Sequence, residues 1–405
     1  MHATLCVAVA TSHLAHANVH HSHLLEILSC NNTLNRNQPP MQRRHFIAGL
    51  GASAALAAGG AITWRHACGS PDSYSRYQHA LRRPLTLDAP IHEVLRYASL
   101  AANGHNTQPW LFKLSAQHIA IVPDLTRRTA VVDPDDHHVY ASLGCAAENL
   151  RIAASSSGLA GHVDIHSNGH IHFRYKNTKA VADPLLSAIP SRQSTRSLYS
   201  GQALSKAQLL SLEQAASLTG VHLFLLEAGT LMSQVRDLVI AGNDLQMRDA
   251  AFMNELKLWL RFNPKVALHY KDGLYSACSA NPVMPQSIGR HAFDLFFNAD
   301  QESNKYAAHI NSSAGLAIFV AEQNSPQYWA LAGQACQRFS LAATNLGLKT
   351  AFVNQATEVP SLRQELAQLL GTPNLRPNIV MRFGYAASLP YSARRPVQAV
   401  SVLKT

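Results

Sequence analysis

The chain has 405 residues, 47% hydrophobic and 14% charged, with a net charge of +10. That length and composition exclude a disordered chain and leave room for two domains or two fused halves. The positive charge is scattered, with no aromatic-interleaved basic strip that could stack bases, which argues against a nucleic-acid partner and favours a local phosphate site.

Residues 1–40 are His-rich and lack lysine, and read as an upstream extension before Met41. Its cluster of His13, His16, His20, His21 and His23 is not taken as a metal site. Residues 41–68 open with Arg43 and Arg44, then Phe46 and a weakly apolar Ala/Gly run, the pattern of a twin-arginine export signal. An uncleaved membrane anchor is the alternative, although the glycines of the run make a poor spanning helix. Export would place the protein in the periplasm or facing outward on the cytoplasmic membrane.

The periodicity of IHEVLRYASLAANG predicts a helix, and WLFKL and HIAIV predict strands. Between them stands NGHNTQPW, more structured than a solvent loop requires. DPDDHH, at 133–138, reads as a turn and N-cap before a helix over 139–154 rather than a metal centre. SRQSTR precedes a helix over 205–217, and VHLFLL predicts another strand. Residues 243–310 have no counterpart earlier in the chain; NELKLWLRF and the NPVMPQS loop suggest one helix and a long connection. Six cysteines form no CxxC pair and no zinc spacing, so most read as small buried hydrophobes, with a disulfide left open in an exported chain.

ASLGCAAENLRIAASSSGL, from Ala141, aligns with ALAGQACQRFSLAATNLGL, from Ala330, at an offset of 189 residues and with seven identities in nineteen. Gly144 pairs with Gly333, and both segments close on Gly-Leu. Each reads as a helix with a small-residue face and a glycine stop. The expected fold class is α+β, with tandem halves over 85–182 and 185–405 packed as an intramolecular pseudo-dimer; two unrelated α+β domains are the alternative. The second half lacks any NTQPW.

GHNTQPW, RQSTR and the C-terminal RFGYAASLPYSARRPV together resemble the FMN-dependent nitroreductase superfamily, and more closely its tandem-fused, dormancy-associated members. The resemblance implies a nitroreductase-like fold with FMN as cofactor. It implies that Arg192, Ser194 and Arg196 hold the flavin phosphate, with Gln193 where the family usually has a second arginine. Asn103, Gly104, Asn106 and Gln108 would approach the ribityl chain and the ring edge. Asn354 and Gln355 would stand near flavin N5, and Arg394 and Arg395 would reach back to the phosphate. No side chain is expected to be catalytic, since the flavin carries the chemistry, and the 243–310 insertion is expected to cover it, with Trp259, Phe262 or the 278–290 loop as a lid. The implied activity is two-electron transfer to a nitroaromatic, quinone or similar small acceptor, with a quinol or a protein as electron donor and a monomeric pseudo-dimer or a homodimer as the assembly. A flavin-sequestering or sensing protein with an occluded site is the alternative.

Overall fold

Alternating apolar strands and helices with small-residue faces sort the described residues into two large sheets and a small two-stranded one, with helices packed between and around them. The computed structural model describes residues 63–403. The Arg43–Arg44 pair and the N-terminal histidines lie outside the described residues. Among the described residues no helix is long and apolar enough to cross a membrane.

Helix α1, over 63–68, leads into α2 (Pro71–Leu81) and α3 (Ile91–Ala98), whose Val94, Leu95, Tyr97 and Ala98 are buried. NGHNTQ follows as a one-turn loop, then β1 (Trp110–Ser115) and β2 (His118–Pro123), with Trp110 fully buried. Helix α4 (His137–Ser156) starts where the turn reading placed it. Asp133 Oδ2 caps it by accepting the His138 and Val139 backbone N–H groups at 2.9 and 3.3 Å. β3 (Leu159–Ile165) and β4 (Ile171–Asn177) complete the first run of strands.

Helix α5 (Lys206–Ala216) begins with a capping box between Ser205 and Gln208, and β5 (Val221–Glu227) follows. Next come α6 (Thr230–Arg248), α7 (Ala250–Trp259), β6 (Leu260–Arg261), α8 (Pro264–Tyr270), β7 (Leu274–Tyr275), α9 (Gln286–Phe296) and α10 (Ala299–Asn311). The expected long connection is therefore mostly helical: Pro264 and the Asn263 and Asn298 N-caps start helices that the loop-like composition concealed. The chain ends with β8 (Gly315–Ala321), α11 (Pro326–Asn345), β9 (Lys349–Phe352), α12 (Gln355–Glu358), α13 (Pro360–Leu369), β10 (Arg376–Gly384) and β11 (Ser401–Leu403).

One sheet has the order β11-β1-β2-β4-β3 and the other β5-β8-β10-β9, antiparallel throughout. β11 runs parallel to β1, so the C-terminal strand, which chain order would assign to the second half, sits in the first sheet. β8 is buried along its whole length. Its Ala317 and Phe319 join the core beside α11, while Leu316, Ile318 and Val320 pack with Val235 and Val239 of α6 and Leu366 of α13.

Helices α4 and α11 cross in direct backbone contact. A Cβ at Gly144 would lie 1.8 Å from the Ala330 carbonyl oxygen, and one at Gly333 would lie 1.9 Å from that of Ala141. Those two contacts exchange under the 189-residue offset. So do two hydrogen bonds further along the helices, Arg338 to Glu148 at 2.9 Å and Gln337 to Asn149 at 2.8 Å. Contacts of this reciprocal form are what a two-fold axis generates.

Candidate functional site

NGHNTQ supplies three non-glycine residues with left-handed backbone: His105 (φ 46°), Asn106 (φ 55°) and Gln108 (φ 54°). Such conformations are costly outside glycine and persist only where surroundings hold them. Here the amide side chains do the holding. Asn103 Oδ1 accepts the Gln108 N–H at 2.9 Å and closes the loop. Asn106 Nδ2 donates to the Gly273 and Ala393 carbonyls, and its Oδ1 accepts from Arg394 at 2.6 Å. Gln108, fully buried, donates to the Lys271 carbonyl at 2.9 Å and accepts the Arg395 N–H at 2.7 Å. The loop thereby ties together the 271–273 turn and the 393–395 segment.

That tie brings a basic cluster into one small pocket of about 40 Å³, lined by Arg82, Arg192, Arg196 and Arg394 with Asn103, Asn106, Gln193, Ser194 and Ser392. No carboxylate lines it. Carbonyls at the C-terminal end of α3 serve part of the charge: Arg394 donates to Ser99, Leu100 and Ala101, and Arg192 to Leu100 at 3.3 Å. Arg192 Nε and Nη1 and Arg82 Nε are nevertheless buried without a partner. Burial and the neighbouring Arg192 lower Arg82 to about 10; burial, then Arg82 and Arg192, hold Arg394 well below the ordinary guanidinium range. Cations crowded in this way without an acid form a receptor for an anion, and for a phosphate in particular, since guanidinium forks match its oxygens.

Arg196 also borders two further cavities, and makes no hydrogen bond or ion pair with any described residue. The first, about 200 Å³ and the middle cavity of the three in size, is lined by Asn103, Gly104 and His105 of the loop, His138 and Cys145 of α4, and Asn354, Gln355 and Glu358 around α12. Gln355 Oε1 is buried there without a partner, whereas Asn354 Oδ1 accepts the Val380 N–H. The second, about 460 Å³, has an aromatic wall from the 251–310 segment, including Phe262, Phe293, Phe296 and Phe297.

Of the residues expected at the site, Asn103, Gly104, Asn106, Arg192, Gln193, Ser194, Arg196, Asn354, Gln355 and Arg394 border these cavities. Gln193 does so while clamped to Leu389 by two hydrogen bonds of 2.9 Å. Gln108 and Arg395 do not. Gln108 is consumed by backbone partners, and Arg395 turns to the Ala399 carbonyl and towards Asp124. Among the lid candidates, Phe262 and residues of the 278–290 loop line the larger cavity, whereas Trp259 lines none and lies beneath the Arg127 guanidinium.

Two proteins of Mycobacterium tuberculosis, from strains H37Rv and CDC 1551, carry the provisional name NAD(P)H nitroreductase. Each is 23% identical over 328 residues, spanning 76% of this chain and 90% of the relative. The chain is similar to nitroreductases. No family model matches it. Solved structures that resemble it include an FMN-dependent nitroreductase of Mycobacterium smegmatis in complex with NADPH (TM-score 0.33, 14% identity, 54% of this chain and 92% of that one). Another is an FMN-bound nitroreductase of Desulfitobacterium hafniense (TM-score 0.34, 14% identity, 53% and 96%).

Sequence reasoning missed Arg82, which sits under the Tyr391 ring at 4.1 Å and belongs to no motif. It also missed the acid–base groups of the middle cavity. His138 Nε2 lies 3.2 Å from Glu358 Oε1, and Gln246 donates to the other Glu358 oxygen at 2.6 Å. Burial alone would lower His138, but the Asp133 charge and the Glu358 hydrogen bond raise it above the usual imidazole value. Burial would likewise raise Glu358, and His138 brings it below the usual range instead. His105 is pushed down to about 4 by burial and is neutral at pH 7.

Proposed function

We propose that the chain is an FMN-binding oxidoreductase of the nitroreductase type, transferring two electrons to a nitroaromatic, quinone or similar small acceptor. The observation that carries this reading is the arginine pocket: buried guanidinium N–H groups with no partner and no acid in reach. A phosphate dianion is the ligand such a donor set fits. FMN, when bound, would supply a two-electron carrier.

Arg192, Arg196 and Ser194, joined by Arg82 and Arg394, would hold the phosphate. Asn103, which borders both the pocket and the middle cavity, would meet the ribityl chain, and Asn354 and Gln355 would face the ring system. Gln108 and Arg395 act behind this layer by fixing the loop. The aromatic-walled cavity shares Arg196, Leu256, Phe297 and Phe352 with the middle cavity and would admit an acceptor to it, which favours turnover over an occluded flavin-holding protein.

The reciprocal α4–α11 contacts support a tandem chain in which the two halves imitate a two-fold dimer and build one site between them. Arg43, Arg44 and Phe46 support export by the twin-arginine route, periplasmic or outward-facing, which would call for a quinol or protein electron donor. The test is to purify the full chain, measure FMN per chain, reduce it with dithionite and add menadione or nitrofurazone. Rapid reoxidation supports the enzyme; protein that holds no flavin, or flavin that no acceptor reoxidises, refutes it.

A further inference from the structure

The wall of the middle cavity carries an acid–base pair that the proposed flavin chemistry leaves without a task. His138 comes from the first turn of α4 and Glu358 from the end of α12, and both border the cavity with His105. The groups that face His138 are Glu358 and Asp133 as acids, His137 and His105 as imidazoles, and Arg376 as a more distant cation. Glu358 is held in place by Gln246, so the pair is fixed from three elements. A buried ion pair contributes little net stability against an apolar substitute, because desolvation offsets the attraction. Stability alone therefore does not account for the pair on a cavity wall that mixes apolar groups such as Phe252, Leu256 and Phe352 with polar ones such as Arg196, Asn243 and Glu302.

The geometry points to His138, oriented by Glu358, as the proton donor to the oxygen of the acceptor that is reduced in this cavity. The assignment rests on the oxidoreductase reading above. A quinone that takes up a hydride equivalent, which the flavin would supply when bound, is left with one oxyanion. The His138 imidazolium gives its proton to that oxygen, an O–H bond forms as an N–H bond breaks, and the neutral imidazole is reprotonated from solvent. Glu358 keeps its charge throughout and, with Asp133, favours the imidazolium. His105, neutral, adds no competing cation.

The direction of the pH dependence follows. His138 is raised above the ordinary imidazole value by the Asp133 charge and the Glu358 hydrogen bond, so the donor form is present below that raised value and is lost as pH rises through it. Wild-type kcat/KM for menadione should fall along that limb. His138→Gln should remove the limb and lower the plateau roughly 100-fold, the size of a general-acid contribution. Glu358→Gln, an isosteric change, should keep the limb and move it to lower pH. Proton NMR of the flavin-free protein should show one imidazole titrating above pH 6.5 that disappears in His138→Gln and shifts down in Glu358→Gln. Wild-type protein that reduces no acceptor overturns the oxidoreductase reading. A working wild type beside a flavin-replete His138→Gln, or a Glu358→Gln, with an unchanged pH profile overturns the proton-donor assignment alone.

Discussion

Replacing Arg192 with methionine should move stability and ligand affinity in opposite directions. In the flavin-free protein the guanidinium leaves Nε and Nη1 buried and unpartnered and makes one hydrogen bond, at 3.3 Å, to Leu100. Exchanging a buried, incompletely paired charge for an apolar side chain of similar length stabilises proteins by about 1–4 kcal/mol. The flavin-free Arg192→Met protein should therefore unfold later in a thermal scan. Binding should respond the other way. Two charge-assisted hydrogen bonds to a phosphate, at about 1.5–3 kcal/mol each, together amount to roughly 10²–10⁴ in Kd. Thermal unfolding with and without FMN, alongside titration of FMN fluorescence, measures both effects on one sample. An Arg192→Met protein that is less stable without flavin, or that binds FMN as tightly as wild type, would show the guanidinium to be a structural strut and refute the phosphate assignment.

Alanine at Gly144 or Gly333 places a Cβ inside 2 Å of a backbone carbonyl that cannot rotate away. Each should cost about 3 kcal/mol by forcing α4 and α11 apart, read as a lowered denaturant midpoint. Gln108→Ala removes the bonds to Lys271 and Arg395 and should cost about 2–4 kcal/mol while leaving the basic pocket's own side chains in place, so FMN affinity should fall less than in Arg192→Met. His105, lowered to about 4 in the folded state, contributes stability that is fully present above the unfolded imidazole value and is lost as pH falls from about 6.5 to 4. Urea unfolding at pH 7 and pH 5 should show that loss, and His105→Gln should reduce it.

The parts of this molecule that were legible in the sequence are those written locally. β1, β2 and β5 follow from apolar alternation, α4 and α11 from small residues and glycine stops, and α5 from the helical pattern over 205–217. The loop NGHNTQPW announced a constraint, but its purpose was only half readable. A buried amide can serve a ligand or a backbone carbonyl equally well, and the sequence does not say which partner arrives. Asn106 and Gln108 went to the 271–273 and 393–395 segments, because three left-handed residues among the four from His105 to Gln108 need outside support. Arg82 and the His138–Glu358 pair were not legible at all. Their partners come from distant stretches of chain, and no local period or spacing records a meeting that only the tertiary fold arranges.

The crossing of α4 and α11 shows what a duplicated chain is free to change. Under the proposed two-fold relation, the positions where backbones touch have one solution, glycine, and both copies keep it at Gly144 and Gly333. The next reciprocal contacts have many solutions, and there the copies differ. Glu148 takes Arg338, Arg151 and Gln334 into a charged cluster, while the matching Gln337 meets Asn149 as a neutral amide pair and accepts the Ala102 N–H. Ala102 is the residue just before the NGHN loop and itself borders the arginine pocket. The neutral member of the pair is thus the one that supports the site. A carboxylate in its place could accept the Ala102 N–H equally well. It would also set a negative charge behind the pocket that has to attract an anion, and weaken the field of Arg192 and Arg394. Gln337→Glu also loses the donor to Asn149 Oδ1 at a fully buried position, so it should lower the denaturant midpoint as well as weaken FMN binding, with the part of the binding loss due to charge shrinking as salt rises; an affinity that falls equally at all ionic strengths would instead mean that the change acts through packing.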